Sequence, residues 1–291
     1  MKILISGSTG TLGYGLTKYL LSIQKYHIFQ SGFRNQSDFK IDFTDKNHLF
    51  KFLDKICPDL IINLVCLANV DECEKDLNKA LIYNANILKN LSLWSIKNNC
   101  KIIHISTDQV YDSWNNYNNE NDVNIKNNYA FSKLKGEEYL KNINSCILRT
   151  NFFGHSRSKK TLNEWFLNSI NNNDNITLFN DIQFNPVLMD TLFECIDHII
   201  SNFKSGIYNF GSKYGLSKAE FCKKLMENLN IQYKNIKIVS VDQSDLIAYR
   251  PKGMMMNIEK FQDNFKFKIP KLTDEIRRYI KKYKLYHENK E

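Results

Sequence analysis

Tyr129 and Lys133 stand four residues apart, and Thr107 precedes Tyr129 by 22 residues. A glycine turn, Gly7, Gly10 and Gly13, lies at the start of the chain. These residue types suit the reduction of a ketone. That reaction needs a hydride and a proton for the forming alkoxide. A free tyrosine has a pKa of about 10, too high for easy exchange at neutral pH. A nearby cation lowers it, and Lys133 at i+4 shares a helix face with Tyr129. Thr107 can hydrogen-bond the carbonyl. The glycines allow a tight strand-to-helix turn whose amides face a pyrophosphate. Together these residues imply a nicotinamide dinucleotide as hydride source.

Spacing alone does not select the tyrosine, because the pattern YxxxK occurs five times in this chain. Context selects it. Tyr129 opens the helical segment YAFSKLKGEEYL, and the strand KIIHIS ends upstream at Ser106-Thr107-Asp108. Tyr14/Lys18 lies inside the expected cofactor helix. The turn reads GSTGTLG, a GxxGxxG spacing rather than GxGxxG. The end of the second strand, Gly32-Phe33-Arg34, carries no acidic residue for a ribose 2′-hydroxyl. Arg34 can instead pair with a 2′-phosphate, so NADP(H) is the expected cofactor and NAD(H) the alternative. Asp42, before Phe43 in KIDFTD, is a candidate adenine contact. In open α/β sheets ligands lie beyond the carboxyl ends of strands, which points Cys66, Leu67 and Ala68 at the cofactor. Asn69 and Asp71 serve equally well as helix N-caps.

The elements that must position these residues alternate along the chain. Apolar runs at 2–6, 27–32, 59–65, 101–106, 145–150 and 206–211 read as strands buried on both faces. Helical patterns lie near 12–25, 45–56, 71–98, 129–142 and 187–203. This alternation predicts an α/β fold, a doubly wound parallel sheet of the Rossmann type. The pattern weakens after 150, and Ser217-Lys-Ala-Glu220 reads as a capping box before another helix. The expected division is a dinucleotide-binding part, 1–154 with 204–214, and a smaller interleaved substrate lobe, mainly 155–203 and 215–291.

Composition sets the outer limits. A chain of 291 residues with 43% hydrophobic residues is globular. The formal net charge of +9 comes from lysines spread along the chain, so nucleic acid is not the expected partner. No apolar run reaches the length of a membrane span, and residues 3–5 already read as a first strand rather than a signal peptide. Seven scattered cysteines without a CxxC argue against a zinc site or a disulfide framework and for a cytoplasmic location.

The set of motifs resembles the extended short-chain dehydrogenase/reductase superfamily, and within it the dTDP-4-dehydrorhamnose reductase group. The resemblance runs through GSTGTLG, IDFTD, INLVCLANVDECE, HISTDQVYD, YAFSKLKGEE, ILRTNFFG and AYRPKGMMMNIEKF, nearly the whole chain. It implies that Gly10, Thr11, Leu12, Asp42, Phe43, Cys66, Leu67, Ala68, Ile105, Tyr129 and Lys133 touch the cofactor. It implies that Thr107, Asp108 and Phe152 touch a sugar. The implied activity is reduction of a nucleotide-linked 4-keto-6-deoxy sugar for a surface polysaccharide, with no metal, and with a homodimer left open. Gln109, Phe152 and Asn69 depart from the group's pattern, all on the substrate side. A nucleotide-sugar epimerase or dehydratase is the second reading. A dehydratase usually needs an acid/base pair after the threonine, and Asp108-Gln109 lacks the glutamate. A non-catalytic regulatory subunit with the same fold is the third.

Overall fold

The structure, a computed structural model, describes residues 1–32, 37–114, 116–157 and 161–288. Its first half runs β1 (Lys2–Ser6), α1 (Thr11–Ser22), β2 (His27–Gly32), β3 (Phe39–Lys40), α2 (Lys46–Ile56) and β4 (Leu60–Asn63). Then come α3 (Val70–Lys75), α4 (Leu77–Leu81), α5 (Ile87–Asn98), β5 (Lys101–Thr107), α6 (Asn128–Glu138) and β6 (Ser145–Thr150). With the strand Gly206–Phe210 these form a seven-stranded sheet, ordered Gly206–Phe210, β6, β5, β4, β1, β2, β3. Every pairing in it is parallel. The expected doubly wound sheet is therefore present, with the change of strand order between β1 and β4.

The strands are apolar because both faces are covered. Ile3 and Ile5 of β1 face one hydrophobic core with Leu12, Leu16 and Leu20 of α1. Leu4 faces the other, with Leu49 and Leu53 of α2 and Leu91 of α5. This is the two-residue period of a strand buried on both sides. Helix α2 starts where Asp45 accepts from the amides of Asn47 and His48, and ends at Cys57 in the left-handed region. Helix Met189–Ser201 also packs on the sheet: Leu192, Ile196 and Ile199 lie in the same core as Ile3 and Leu16.

A separate core joins Phe153, Phe166, Ile176, Phe184, Phe221, Leu225 and Ile276 in the later part of the chain. Its helix Lys218–Leu229 begins with the expected capping box between Ser217 and Glu220.

The helical pattern over 71–98 is broken rather than continuous. Asp76 caps a new start by accepting from the Lys79 amide, and residues Ile82–Asn86 form a π-helical turn. Such turns are rare and frequent at functional sites.

Candidate active site

The glycine turn is fixed by close approaches. Gly7 has φ +74, a region that L side chains rarely adopt. A Cβ on Gly13 would stand 2.1 Å from the Gly7 carbonyl oxygen. The Gly10 amide donates to that same carbonyl at 3.0 Å. Gly10 is the N-cap of α1 and offers no side-chain acceptor to the helix's first amides, and no acidic residue occupies the first turn. The start of α1 is thus suited to an anion. Gly13→Ala is expected to strain the turn by about 1–3 kcal/mol, as overpacking does. Calorimetry should then show dinucleotide affinity reduced about tenfold or more, at about 1.4 kcal/mol per decade. Wild-type affinity in a folded variant would contradict this account of the turn.

A cleft of about 460 Å³ opens above the turn. Of the residues expected to hold a cofactor, Gly7, Gly10, Thr11, Asp42, Phe43 and Cys66 line it. Thr9, Gly32, Val65 and Tyr83 line it as well, and sequence reasoning missed them. The cleft has glycines at its floor, amides at one end and an apolar wall, which fits a dinucleotide. Leu12 turns its side chain into the core and is not among the residues lining the cleft. Asp42 spends Oδ1 on the Thr44 amide, 2.8 Å, and hydroxyl, 2.6 Å. Arg34 lies outside the described residues. Leu67 and Ala68 do not line the cleft, and Leu67 packs with Cys73, Ala80 and Tyr129.

Asn84, in the π-helical turn, was not foreseen. Its Oδ1 accepts from the Leu67 amide at 2.8 Å, and its Nδ2 donates to the Leu67 carbonyl at 3.1 Å and to Ser132 Oγ at 2.9 Å. One side chain thus ties the loop after β4 to α6. A Cβ on Gly136 would lie 2.2 Å from the Asn84 carbonyl, so the two segments pack backbone to backbone.

Helix α6 begins at the N-cap Asn127, whose side chain accepts from the Ala130 amide. It carries Tyr129 and Lys133 inward, 9% and 2% exposed. Thr107, at the end of β5, is buried near the Tyr129 phenol; its Oγ1 accepts from the Gln109 amide at 3.1 Å and lies 3.4 Å from Asp108 Oδ1. Thr107, Tyr129 and Lys133 therefore meet beside Ile105, which is also buried. Cys66, which lines the cleft, lies near both Tyr129 and Lys133.

The direction of the Tyr129 shift differs from the sequence expectation. Burial raises the phenol pKa, and the nearby Thr107 hydroxyl opposes that rise. Burial is the largest cause, and the lysine's ammonium is engaged by other groups. Lys133 Nζ donates to the Ile105 carbonyl at 2.7 Å and meets His104 Nε2 at 3.1 Å. Burial lowers the lysine's own pKa.

On the substrate side, Asp108 Oδ2 accepts from Asn151 at 2.8 Å. Burial pushes its carboxyl up to about 6, with the Asn151 hydrogen bond and the charge of Lys218 pulling the other way. Lys218 opens the helix Lys218–Leu229 and was read from sequence only as part of a capping box. Phe152 is half-buried against the main core. Asn69 proves to be an N-cap, accepting from Glu72 at 3.0 Å. Asp71 instead pairs with Arg250 at 2.7 Å and accepts from the Ala248 amide at 3.0 Å. Asn127 donates to the Tyr249 carbonyl and to Gln109. The segment around 248–250 is thereby fastened beside Tyr129.

Comparison with known proteins follows the same lines. The dTDP-4-dehydrorhamnose reductase of Aggregatibacter actinomycetemcomitans is 26% identical over 286 residues, 91% of this chain and 93% of that protein. The crystal structure of a dTDP-4-dehydrorhamnose reductase from Bacillus anthracis in complex with NADP superposes with a TM-score of 0.88 at 23% identity, covering 97% of this chain and 99% of that one. The UDP-glucose 4-epimerase of Thermotoga maritima, solved with UDP-glucose, superposes at 0.84 with 14% identity over 98% and 99%. The fold is thus shared by reductases and epimerases alike. Residues 1–285, with the glycine turn, Thr107, Tyr129 and Lys133 among them, match the family described as RmlD substrate binding domain, and the chain belongs to that family.

Proposed function

We propose that the protein is an NAD(P)H-dependent reductase of a nucleotide-linked 4-keto-6-deoxy sugar, acting in surface-polysaccharide precursor synthesis. The observation that carries this reading is the buried Tyr129 phenol beside Thr107, close to Cys66, which lines the cleft. When bound, the reduced nicotinamide supplies a hydride to C4 of the sugar. The chain's residues do the rest. The Gly7–Gly13 turn and the start of α1 hold the pyrophosphate. Thr107 orients the carbonyl, and Tyr129 gives its proton to the oxygen as negative charge develops there. Proton donation of this kind contributes about 10²–10⁴-fold. Lys133 holds the cofactor ribose and supplies positive charge near the phenol. Asp108 and Phe152 contact the sugar. NADP(H) is the preferred cofactor, which the Bacillus anthracis relative solved with NADP supports, with NAD(H) as the alternative.

The two-part division serves this chemistry. Residues 1–154 with 204–214 take the dinucleotide. Residues 155–203 and 215–291 mainly take the sugar, with helix Met189–Ser201 lent to the sheet. No helix among the described residues is long and apolar enough to cross a membrane. A nucleotide-sugar substrate and a reducing cofactor support a cytoplasmic location. A homodimer is left open by this reading. A dehydratase is disfavoured because Gln109 stands after Asp108 where its glutamate would be; an epimerase is the alternative.

A screen of 4-keto-6-deoxy sugar nucleotides, following NADPH oxidation and product configuration, tests the proposal. Oxidation with one of them is the expected result. Cofactor binding without any turnover would favour the regulatory subunit.

Asp108 adds a pH test. A carboxyl raised to about 6 by burial favours its protonated form in the fold. Its contribution to stability is present below the ordinary carboxylate range and is lost as pH rises through about 6. The ionised form accepts the stronger hydrogen bonds from sugar hydroxyls. KM for the sugar nucleotide should rise as pH falls through about 6, and Asp108→Asn should flatten that dependence. An unaltered KM profile in the variant would remove Asp108 from the sugar site.

A further inference from the structure

Behind Lys133 lies a chain of buried polar groups that the proposed chemistry does not use. His104, Asn63 and Ser6 are 1%, 0% and 0% exposed, on three neighbouring strands of the sheet. Lys133 Nζ stands 3.1 Å from His104 Nε2. His104 Nδ1 stands 3.1 Å from the Asn63 side-chain amide. Ser6 Oγ is 2.8 Å from the other end of that amide and 3.4 Å from the Ile62 carbonyl.

A neutral imidazole has one N–H and one lone pair, so its two contacts cannot both be donors to it. If Lys133 is an ammonium, Nε2 must accept and Nδ1 must carry the hydrogen. The two ends of an amide are alike in shape. With Asn63 Oδ1 turned to the ring, Nδ1–H has its acceptor. Asn63 Nδ2 then donates to Ser6 Oγ, and Ser6 Oγ donates to the Ile62 carbonyl. No group in the chain is left unpaired. The Asn63 backbone carbonyl also lies where it favours a ring N–H. If instead Nε2 carries the hydrogen, Lys133 must be a neutral amine.

We propose that His104 is a positioning residue for this reaction: its Nε2 lone pair accepts one N–H of the Lys133 ammonium, so that the buried lysine stays charged and is fixed in place beside Tyr129. The claim rests on the reductase reading. Burial of an isolated ammonium is costly, and the Ile105 carbonyl and His104 accept two of its three hydrogens. The other ionisable groups around Lys133 are Tyr129 and Glu137 on α6 and Cys66 on the loop after β4. Negative charge at Glu137 or Cys66 favours the ammonium, whereas burial opposes it. His104 itself is held neutral, because burial and the Lys133 charge both disfavour its cation. An acceptor that never becomes positive suits this task.

Two experiments on the full chain test it. Nitrogen-15 NMR of the histidines, with His104→Gln assigning the signal, should show the Nδ1–H tautomer of His104 from about pH 6 to about pH 9, with no cation forming. An Nε2–H tautomer would overturn the proposal. In kinetics, His104→Leu should lose turnover about tenfold or more and move the alkaline limb of the kcat profile down by about one pH unit, since the ammonium has lost an acceptor. His104→Gln, whose amide oxygen can accept, should restore most of both. Equal losses in the two variants with an unmoved profile would reduce His104 to packing and overturn the claim. Melting temperatures identify any variant that fails to fold. If the wild type reduces no keto sugar nucleotide, the reductase reading fails by itself. The NMR result and the pH dependence of NADPH binding in the two variants then still decide the role of His104.

Discussion

Tyr129→Phe is expected to lower kcat for carbonyl reduction by about 10²–10⁴-fold, the usual contribution of a positioned proton donor. The substitution removes one hydroxyl and keeps the ring. The ring packs with Cys73 and Ala80, so the fold and the cleft should persist. Cofactor dissociation constants should therefore stay close to wild type. Steady-state kinetics and calorimetry on one preparation separate the two effects. Turnover within a factor of about two of wild type would end the assignment of Tyr129 as proton donor.

The largest effect on stability is expected at Arg149. Its guanidinium is 2% exposed and faces Glu137, which is 0% exposed. Arg149 Nη2 lies 2.6 Å from Glu137 Oε2, and Nε lies 3.0 Å from Oε1. Arg149 Nη1 also donates to the Tyr111 hydroxyl at 2.8 Å and to the Glu120 carbonyl at 2.6 Å. Ser106, the neighbour of Thr107, donates to Glu137. Glu137 thus ties the helix bearing Tyr129 to β6 through Arg149 and to the strand bearing Thr107 through Ser106. Arg149→Met leaves a buried carboxylate without its partner, a change that costs about 3–5 kcal/mol. Replacing both Arg149 and Glu137 by Met should recover much of the loss, because burying a charge pair also carries a desolvation cost. Urea unfolding of the three variants measures this. A loss below about 1 kcal/mol in Arg149→Met would make the pair equivalent to a surface ion pair.

The parts of the site legible in the sequence are those governed by local rules. The turn from Gly7 to Gly13 needs glycine for backbone reasons, and the apolar runs of β1, β4 and β5 announce strands covered on both faces. Tyr129 and Lys133 are one helical turn apart, and Thr107 ends a strand, so their meeting follows once the sheet is parallel. The residues missed are those whose partners lie on other elements. His104 sits inside the apolar run KIIHIS and reads as strand filler. Only the pairing of Asn63 with His104 across β4 and β5, and the packing of α6 on β5, expose its role. Asn84 lies in a stretch whose period does not distinguish a π turn from an α-helix. Asp76, a good N-cap type, was the available signal for the break in 71–98. Lys218 was visible as a helix start, but nothing local connects it to Asp108.

The central claim is a hydride transferred to C4 of a sugar nucleotide, with the proton given by Tyr129. The most direct measurement uses NADPH deuterated at the transferable C4 position, incubated with the wild-type protein and a 4-keto-6-deoxy sugar nucleotide. Proton NMR and mass spectrometry of the isolated product locate the label. Deuterium at the sugar's C4, with that carbon reduced to an alcohol, is the predicted result. A reduced product carrying no deuterium at C4, or label at another carbon, would contradict it.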